Sequence, residues 1–175
     1  MVRTWKKLTL SAMLLALGMV LPLLTGQIQS IGSMLLPMHI PVLLCGFLCG
    51  WQYGLAVGFI LPLLRSVTFG MPPMYPVALA MAFELATYGF VTGILHARFR
   101  MRRLLALYLT LILAMLAGRL VWGVAQLVLL GIRGSAFTWS AFLAGAVLNA
   151  IPGIILQLVL IPVLVLALQK AKLLR

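Results

Sequence analysis

Glu84 is the only acidic residue of the chain, and it lies within an apolar run, PVALAMAFELATYGF, residues 76–90. Thirteen Lys and Arg residues lie elsewhere and bring the formal net charge to +12. An isolated charge in the middle of a bilayer costs at least ~2.5–3.5 kcal/mol, so it normally faces a partner or an interior cavity. At 1.5 Å per helical residue, Glu84 and Arg119 lie about 12 Å and about 18 Å from the corresponding ends of their apolar segments. We therefore expect them to pair, either as a purely structural ion pair or in contact with a ligand.

Helical spacing extends these positions into polar stripes, because residues three, four or seven apart share one face of a helix. The stripes are Glu84 and Tyr88; Arg119, Trp122 and Gln126; and Asn149, Gly153 and Gln157. Polar groups are costly against lipid, so each stripe is expected to point inward. Three converging stripes would form a site for a small polar ligand, with two aromatic rings as flat faces. The alternative for the amides is hydrogen bonding between packed helices.

Two further candidate site residues lie in segments that connect the apolar runs. His39, in MLLPMHIP, could cover or contact a ligand, or be an ordinary polar loop residue. A lone His lacks the additional ligands of a metal site, so we expect neither a metal nor a cofactor. Tyr75 lies in a Met- and Pro-rich connection that would act either as a lid over the site or as a lipid-facing anchor. Arg65 is expected only to extend its head group to the membrane surface.

Composition places these residues in a membrane protein. The chain is 65% hydrophobic and only 8% charged, with a mean hydropathy of +1.22, whereas soluble domains are about 25% charged. We predict an all-α integral membrane protein of the cell membrane, one domain over residues 1–175, embedded in the lipid bilayer by six transmembrane helices. The predicted spans are Leu8–Leu24, Pro37–Gly50, Tyr53–Phe69, Pro76–Leu95, Leu104–Leu130 and Trp139–Leu168.

The basic residues predict the orientation. Ten of the thirteen form three clusters at segment ends: Arg3, Lys6 and Lys7; Arg98, Arg100, Arg102 and Arg103; and Lys170, Lys172 and Arg175. With six spans all three clusters fall on one side, which the positive-inside rule assigns to the cytoplasm, with both termini. The basic start and apolar core of the N-terminus are then an uncleaved first span. The connections 25–41, 68–76 and 131–139 lie outside, where their length favours a functional role.

Several function classes are excluded or disfavoured by what the sequence lacks. The sequence pI of about 11.3 does not indicate nucleic-acid binding, because no basic stripe is interleaved with aromatic residues. A single carboxylate provides no acid–base pair, and no nucleophile motif or phosphate-binding loop is present, so we do not expect an enzyme. Cys45 and Cys49 are four residues apart in an apolar segment and are expected to pack as small apolar side chains.

Two short motifs resemble those of the substrate-binding S components of energy-coupling factor (ECF) vitamin transporters. Ala12-Met13-Leu14-Leu15-Ala16 is similar to the A-x-x-x-A motif of the first helix of that family. Gly50-Trp51-Gln52-Tyr53-Gly54, followed by Gly58, resembles its glycine-spaced turn between the second and third helices, although Trp51 replaces the usual Pro. Small residues four apart permit close approach of helix backbones.

The resemblance implies a function. The chain would bind a vitamin or vitamin precursor from outside and deliver it for ATP-driven (ABC-type) import by a transmembrane coupling subunit and two cytoplasmic ATPases. Ala12 and Ala16 would contact the coupling subunit. The residues implied in substrate binding are Glu84, Tyr88, Arg119, Trp122, Gln126 and Asn149, with His39 and Tyr75 near the lid. A pantothenate-like anion is favoured, and a thiamine precursor or queuosine precursor remains an alternative.

Two other functions stay open at this point. A proton-coupled secondary transporter would use Glu84 as its proton carrier, since a lone intramembrane carboxylate suits that role. A non-transporting scaffold would bind no small molecule at all.

Overall fold

The structure is a computed structural model that describes residues 2–25, 36–99, 103–134, 138–146 and 148–170. Within these ranges every regular element is helical. The α-helices are α1 (Val2–Val20), α2 (His39–Cys49), α3 (Trp51–Phe69), α4 (Leu79–Arg98), α5 (Arg103–Ile132), α6 (Trp139–Ala146) and α7 (Ile151–Lys170). A 3-10 turn, Leu21–Thr25, follows α1, and a π-helical turn, Met74–Ala78, precedes α4. The expected all-α architecture is confirmed for the described part of the chain.

Five segments of the described chain are long and apolar enough to cross a membrane, where six spans were predicted. They are Thr4–Leu23, Trp51–Phe69, Met74–Arg98, Leu104–Ile132 and Ile151–Leu168. The predicted second span corresponds to α2, an apolar helix of 11 residues. At 1.5 Å per residue α2 is about 16 Å long, which is about half of the ~30 Å hydrocarbon core. Its first residue therefore lies inside the bundle and not at a surface.

The predicted sixth span is divided into two helices. A short helix, α6, comes before the longer α7, and the 3-10 turn Leu148–Ala150 leads directly into α7. Pro152 is the second residue of α7. Pro is tolerated in the first turn of a helix because its missing N–H has no intrahelical acceptor there. The interruption thus lies before Pro152, and α7 continues beyond it.

Helix α4 is at the centre of the bundle and packs against α2, α3 and α5. Its contact with α3 brings the two backbones together at glycines. A Cβ on Gly58 would collide with the backbone at Leu85, and a Cβ on Gly89 would collide with the backbone of Gly54. The glycine row noted in the sequence is therefore the contact surface between α3 and α4.

Helix α2 is buried along almost its whole length, which explains why it is apolar on every face. Cys45 and Cys49 are buried and free, as expected from their apolar surroundings. The Cys45 thiol lies 3.6 Å from Oγ of Ser11 on α1. These contacts fix α2 between α1 and α4.

Arg65 does not extend to the surface as the sequence suggested. It is buried, its Nη1 donates a hydrogen bond to the carbonyl oxygen of Met19, and its guanidinium lies 5.0 Å from the ring centroid of Phe69. The last carbonyls of a helix have no intrahelical donor, and the negative end of the helix dipole favours a cation there. Arg65 thus connects the end of α1 to α3.

The ends of α1, α3 and α5 and the starts of α2, α4 and α6 lie together. We call this the loop-rich end, formed by the described residues 21–25, 36–38, 70–78, 131–134 and 138–139. The Arg65–Met19 contact joins α3 to α1 next to this end, and a hydrogen bond from the Tyr75 hydroxyl to the Leu129 carbonyl joins the segment 70–78 to α5.

Candidate functional site

The carboxylate of Glu84 is the centre of a buried polar cluster formed by three helices. Its Oε1 lies 2.9 Å from Nη1 of Arg119 on α5 and 3.4 Å from Nε2 of His39 on α2. The same oxygen accepts a hydrogen bond of 3.1 Å from the hydroxyl of Tyr88, one turn along α4. The side chains of Glu84 and His39 are only 2% and 1% exposed, whereas that of Arg119 is 13% exposed. The predicted pair of Glu84 and Arg119 is therefore present, and two further side chains complete it.

The local sequence explains how the cluster forms. His39 is the first residue of α2, and the shortness of that helix places its imidazole at the level of Glu84. Gly118, immediately before Arg119, leaves room for the Tyr88 ring, because a Cβ there would collide with it. The Tyr88 and His39 rings lie 5.2 Å apart at an interplanar angle of 58°. Helices α2, α4 and α5 thus bring their polar groups to one point.

Within the cluster, the negative charge of Glu84 and the positive charge of Arg119 neutralise each other. Removing one partner of a buried ion pair typically costs 3–5 kcal/mol because the other charge is left uncompensated, so roughly this range is expected here. Tyr88 and His39 contact the same oxygen, Oε1 of Glu84, and fix its position. A carboxylate held in this way is well placed to orient the guanidinium of Arg119.

Arg119 uses only one of its nitrogens for this pair. Its Nε and Nη2 atoms are buried and have no hydrogen-bond partner among the described residues. Buried donors without an acceptor cost about 1–3 kcal/mol each, and more when they are charged. The cluster therefore offers hydrogen-bond donors to a molecule that carries acceptor oxygens or nitrogens.

A group of aromatic residues lies on the side of Arg119 nearer the loop-rich end. The Trp122 ring, three residues beyond Arg119, lies 6.2 Å from the Phe142 ring of α6. Trp139 stacks on Phe142 at 5.2 Å. A Cβ on Gly145 would meet the Trp122 ring, so α6 packs closely on it. Trp122 follows Arg119 by three residues on the same face of α5, and its role as a flat surface for a ligand stays a prediction.

The other predicted site residues are distributed around this cluster. Gln126 is buried on the same face of α5 as Arg119. Tyr75 is partly exposed at the loop-rich end, where its hydroxyl donates to the carbonyl oxygen of Leu129. Asn149 is exposed in the turn before α7 and does not reach the cluster through any described contact. Whether these side chains contact a ligand stays a prediction.

One buried amide was not among the predicted site residues. Gln157 on α7 is 1% exposed, and its Nε2 has no partner among the described residues. Its position in the stripe with Gly153 was the available signal, because both residues are buried while Asn149 is not. The polar stripe of α7 therefore begins one turn later than expected.

Ala12 and Ala16 lie away from the polar cluster, on the exposed face of α1. The neighbouring positions on that face are large apolar side chains, among them Trp5, Leu8, Met13 and Leu17. Two small residues four apart form a shallow depression in such a surface, which permits close approach of another helix.

Metal binding finds no support in the part of the chain that the structure describes. Those residues include no group of three or more His, Cys, Asp or Glu side chains that could hold a metal ion. The chemistry available at the cluster is non-covalent binding by charge, hydrogen bonds and aromatic surface.

Comparison with protein families gives one match. The model of the family described as "ECF transporter, substrate-specific component" matches residues 6–165. Comparison with curated proteins and with solved structures gives no match.

Proposed function

Because the chain belongs to the family of ECF transporter substrate-specific components, a subunit class of multi-pass proteins of the cell membrane, we propose that it captures a vitamin or vitamin precursor from outside the cell. The observation that carries this proposal is the buried cluster around Glu84. It leaves the Nε and Nη2 donors of Arg119 without a partner among the described residues, three residues before Trp122 on the same helix. Pockets for small molecules combine a few convergent polar groups with apolar and aromatic walls in this way.

The proposed topology has six membrane-spanning segments in one domain, residues 1–175, with both termini in the cytoplasm. The three basic clusters of the sequence support this orientation through the positive-inside rule. The loop-rich end then faces outside, which is the side from which the substrate arrives. The short α2 would begin within the outer half of the bilayer, as would be needed for His39 to line the site.

The proposed substrate is a pantothenate-like compound, with a thiamine precursor or a queuosine precursor as the alternatives. The cluster around Glu84 contains donors in excess of acceptors, which favours a ligand with acceptor groups. A cationic ring would instead approach a guanidinium of the same charge. Glu84 neutralises the charge of Arg119, and for this reason the thiamine precursor and the queuosine precursor remain alternatives.

The proposed partners are a transmembrane coupling subunit and two cytoplasmic ATPases, which supply the energy for import. Ala12 and Ala16 support the first contact, because they form a small-residue surface on the exposed face of α1. In this arrangement the chain has no catalytic role, and its task is to bind and release the substrate.

The geometry argues against the proton-coupled alternative. A proton carrier must exchange its proton during transport, yet Oε1 of Glu84 is surrounded by a guanidinium, a phenol and an imidazole. A guanidinium and a phenol at hydrogen-bonding distance favour the charged carboxylate, which does not suit a group that must take up and release a proton.

A binding screen with purified full-length chain tests the proposal. Pantothenate, a thiamine precursor and a queuosine precursor are titrated into the parent, Glu84→Gln and Leu120→Ala chains, and tryptophan fluorescence is followed. Leu120 is exposed beside Arg119 on α5 and provides the control. We expect saturable binding of one compound by the parent and Leu120→Ala chains and weaker binding by Glu84→Gln. Absence of saturable binding by the parent, or equal affinity of all three chains, would contradict the proposal.

A further inference from the structure

We infer that the Nε–Nη2 edge of Arg119 binds a carboxylate of the substrate, while Glu84 is a positioning residue that does not contact the substrate. This inference rests on the proposed function and specifies the chemical class of the substrate at the same site. It follows from which nitrogens of the Arg119 guanidinium have a partner in the protein and which do not.

The guanidinium group has two edges that can form a pair of parallel hydrogen bonds. One edge comprises Nη1 and Nη2, and the other comprises Nε and Nη2. Glu84 contacts Nη1 at 2.9 Å, so it interrupts the first edge. Both nitrogens of the second edge are buried and unpaired among the described residues. The edge that remains is therefore a complete two-donor fork.

A planar fork of two N–H groups matches the two oxygens of a carboxylate. Such bidentate pairs are shorter and stronger than single neutral hydrogen bonds, and they also fix the orientation of the ligand. A hydroxyl group presents only one oxygen to the fork and carries no charge. A primary amine or a protonated ring presents donors and would leave both nitrogens unsatisfied.

Glu84, in contrast to Arg119, contacts protein groups and not the substrate. Its Oε1 lies 2.9 Å from Nη1 of Arg119, accepts a hydrogen bond from the Tyr88 hydroxyl and lies 3.4 Å from Nε2 of His39. An oxygen crowded by protein groups from three helices has little remaining capacity to accept a hydrogen bond from a substrate. The contact with Glu84 positions Arg119, because it prevents the Arg119 side chain from rotating and turning the free Nε–Nη2 edge away from the substrate.

Arg119 is the most accessible member of the cluster. Its side chain is 13% exposed, in contrast to the nearly complete burial of Glu84 and His39, and a substrate reaches the buried Nε and Nη2 atoms only after neighbouring side chains move. Trp122 lies three residues further along α5, so the remainder of a substrate bound at Arg119 has an aromatic surface within reach. The assignment thus predicts a substrate with a carboxylate at one end and a neutral body.

The test uses two probes that differ at one group. Pantothenate ends in a carboxylate, and panthenol carries a hydroxymethyl group at the same position. Calorimetric titration of the parent chain with both is expected to give about 10–100-fold weaker binding of panthenol, the loss that follows from one charged hydrogen-bonding partner. Equal affinity for both probes would overturn the inference.

Variants distinguish a binding residue from a positioning residue. Arg119→Lys keeps the charge but removes the fork, so it should reduce the affinity for pantothenate and leave that for panthenol nearly unchanged. Tyr88→Phe removes one donor to Glu84 and keeps the fork, so the preference for pantothenate over panthenol should persist. Leu120→Ala is the control. Unchanged discrimination in a folded Arg119→Lys chain would contradict the inference.

Failure of the inference and failure of the proposed function have different signatures. If the parent chain binds the thiamine precursor or the queuosine precursor and neither pantothenate nor panthenol, the capture function stands and the carboxylate assignment is wrong. If it binds none of the four probes, the proposed function falls and the assignment falls with it. The comparison of two probes on the parent chain needs no variant to fold.

Discussion

Arg119 and Glu84 meet through a single nitrogen, with Nη1 of Arg119 2.9 Å from Oε1 of Glu84. The pair joins α5 to α4, and His39 joins α2 to both through its contact with the same carboxylate oxygen. One side chain therefore organises three helices, which explains why the only acidic residue of the chain lies in the interior of the bundle.

The first prediction concerns the energetic coupling within this pair. Glu84→Gln and Arg119→Gln should each lower the thermal stability of the purified chain, because each leaves the other charge buried and unpaired, at a cost of about 3–5 kcal/mol. The double variant should lose less than the sum of the two, since no unpaired charge remains. Thermal unfolding of the four chains measures this coupling. Additive losses would show that the two residues act independently.

The second prediction concerns the contact between α3 and α4. Gly89→Ala should reduce the yield of folded protein and its unfolding temperature, because the added methyl group would collide with the backbone of Gly54. Gly131→Ala is the matched control on α5, where a Cβ meets nothing within 4 Å. If both variants show the stability of the parent, the close backbone approach does not exist in the folded protein.

The third prediction concerns α1 and its exposed face. Ala16→Leu should abolish import by the assembled transporter while leaving substrate binding by the isolated chain unchanged, since the added side chain fills the small-residue surface. Val159→Leu, at an exposed position of α7, should leave both properties unchanged. Uptake in cells and titration of the purified chain provide the two readouts. Import by Ala16→Leu at the level of the parent would place the partner contact elsewhere.

The fourth prediction concerns the connection between α1 and α3. Arg65→Gln should weaken the attachment of the end of α1, because the Met19 carbonyl loses a charged donor worth about 1.5–3 kcal/mol. Hydrogen exchange should become faster in the last turn of α1 and remain unchanged in α4 and α5. A uniform change over all helices would instead indicate general destabilisation.

Much of the fold followed from the sequence, because hydrophobic length and glycine spacing determine membrane helices directly. The helices α3, α4 and α5 lie within three residues of their predicted bounds, whereas α1 begins six residues and ends four residues before its predicted bounds. The pairing of Glu84 with Arg119 was also predictable, since two opposite charges at similar depths in a bilayer have few other partners.

The positions of several polar residues could not be predicted from the sequence, because they depend on where helices begin and on how the helices are rotated. The apolar pattern of α2 does not reveal that the helix begins at His39 itself and is buried there, so His39 was expected in a loop. The burial of Arg65 depends on the position of the α1 carboxyl end, which no local pattern encodes. The break before Ile151 likewise removes Asn149 from the polar stripe that continues with Gln157.

The most direct test of substrate capture is native mass spectrometry of the full-length chain after gentle purification from its membrane. The account predicts a small molecule released in one-to-one ratio from the parent chain, with a mass that matches a vitamin or vitamin precursor bearing a carboxylate. It also predicts loss of this molecule from Arg119→Lys and its retention in Leu120→Ala. A chain that carries no small molecule, and that takes up none of the candidate compounds when they are added, would contradict the account.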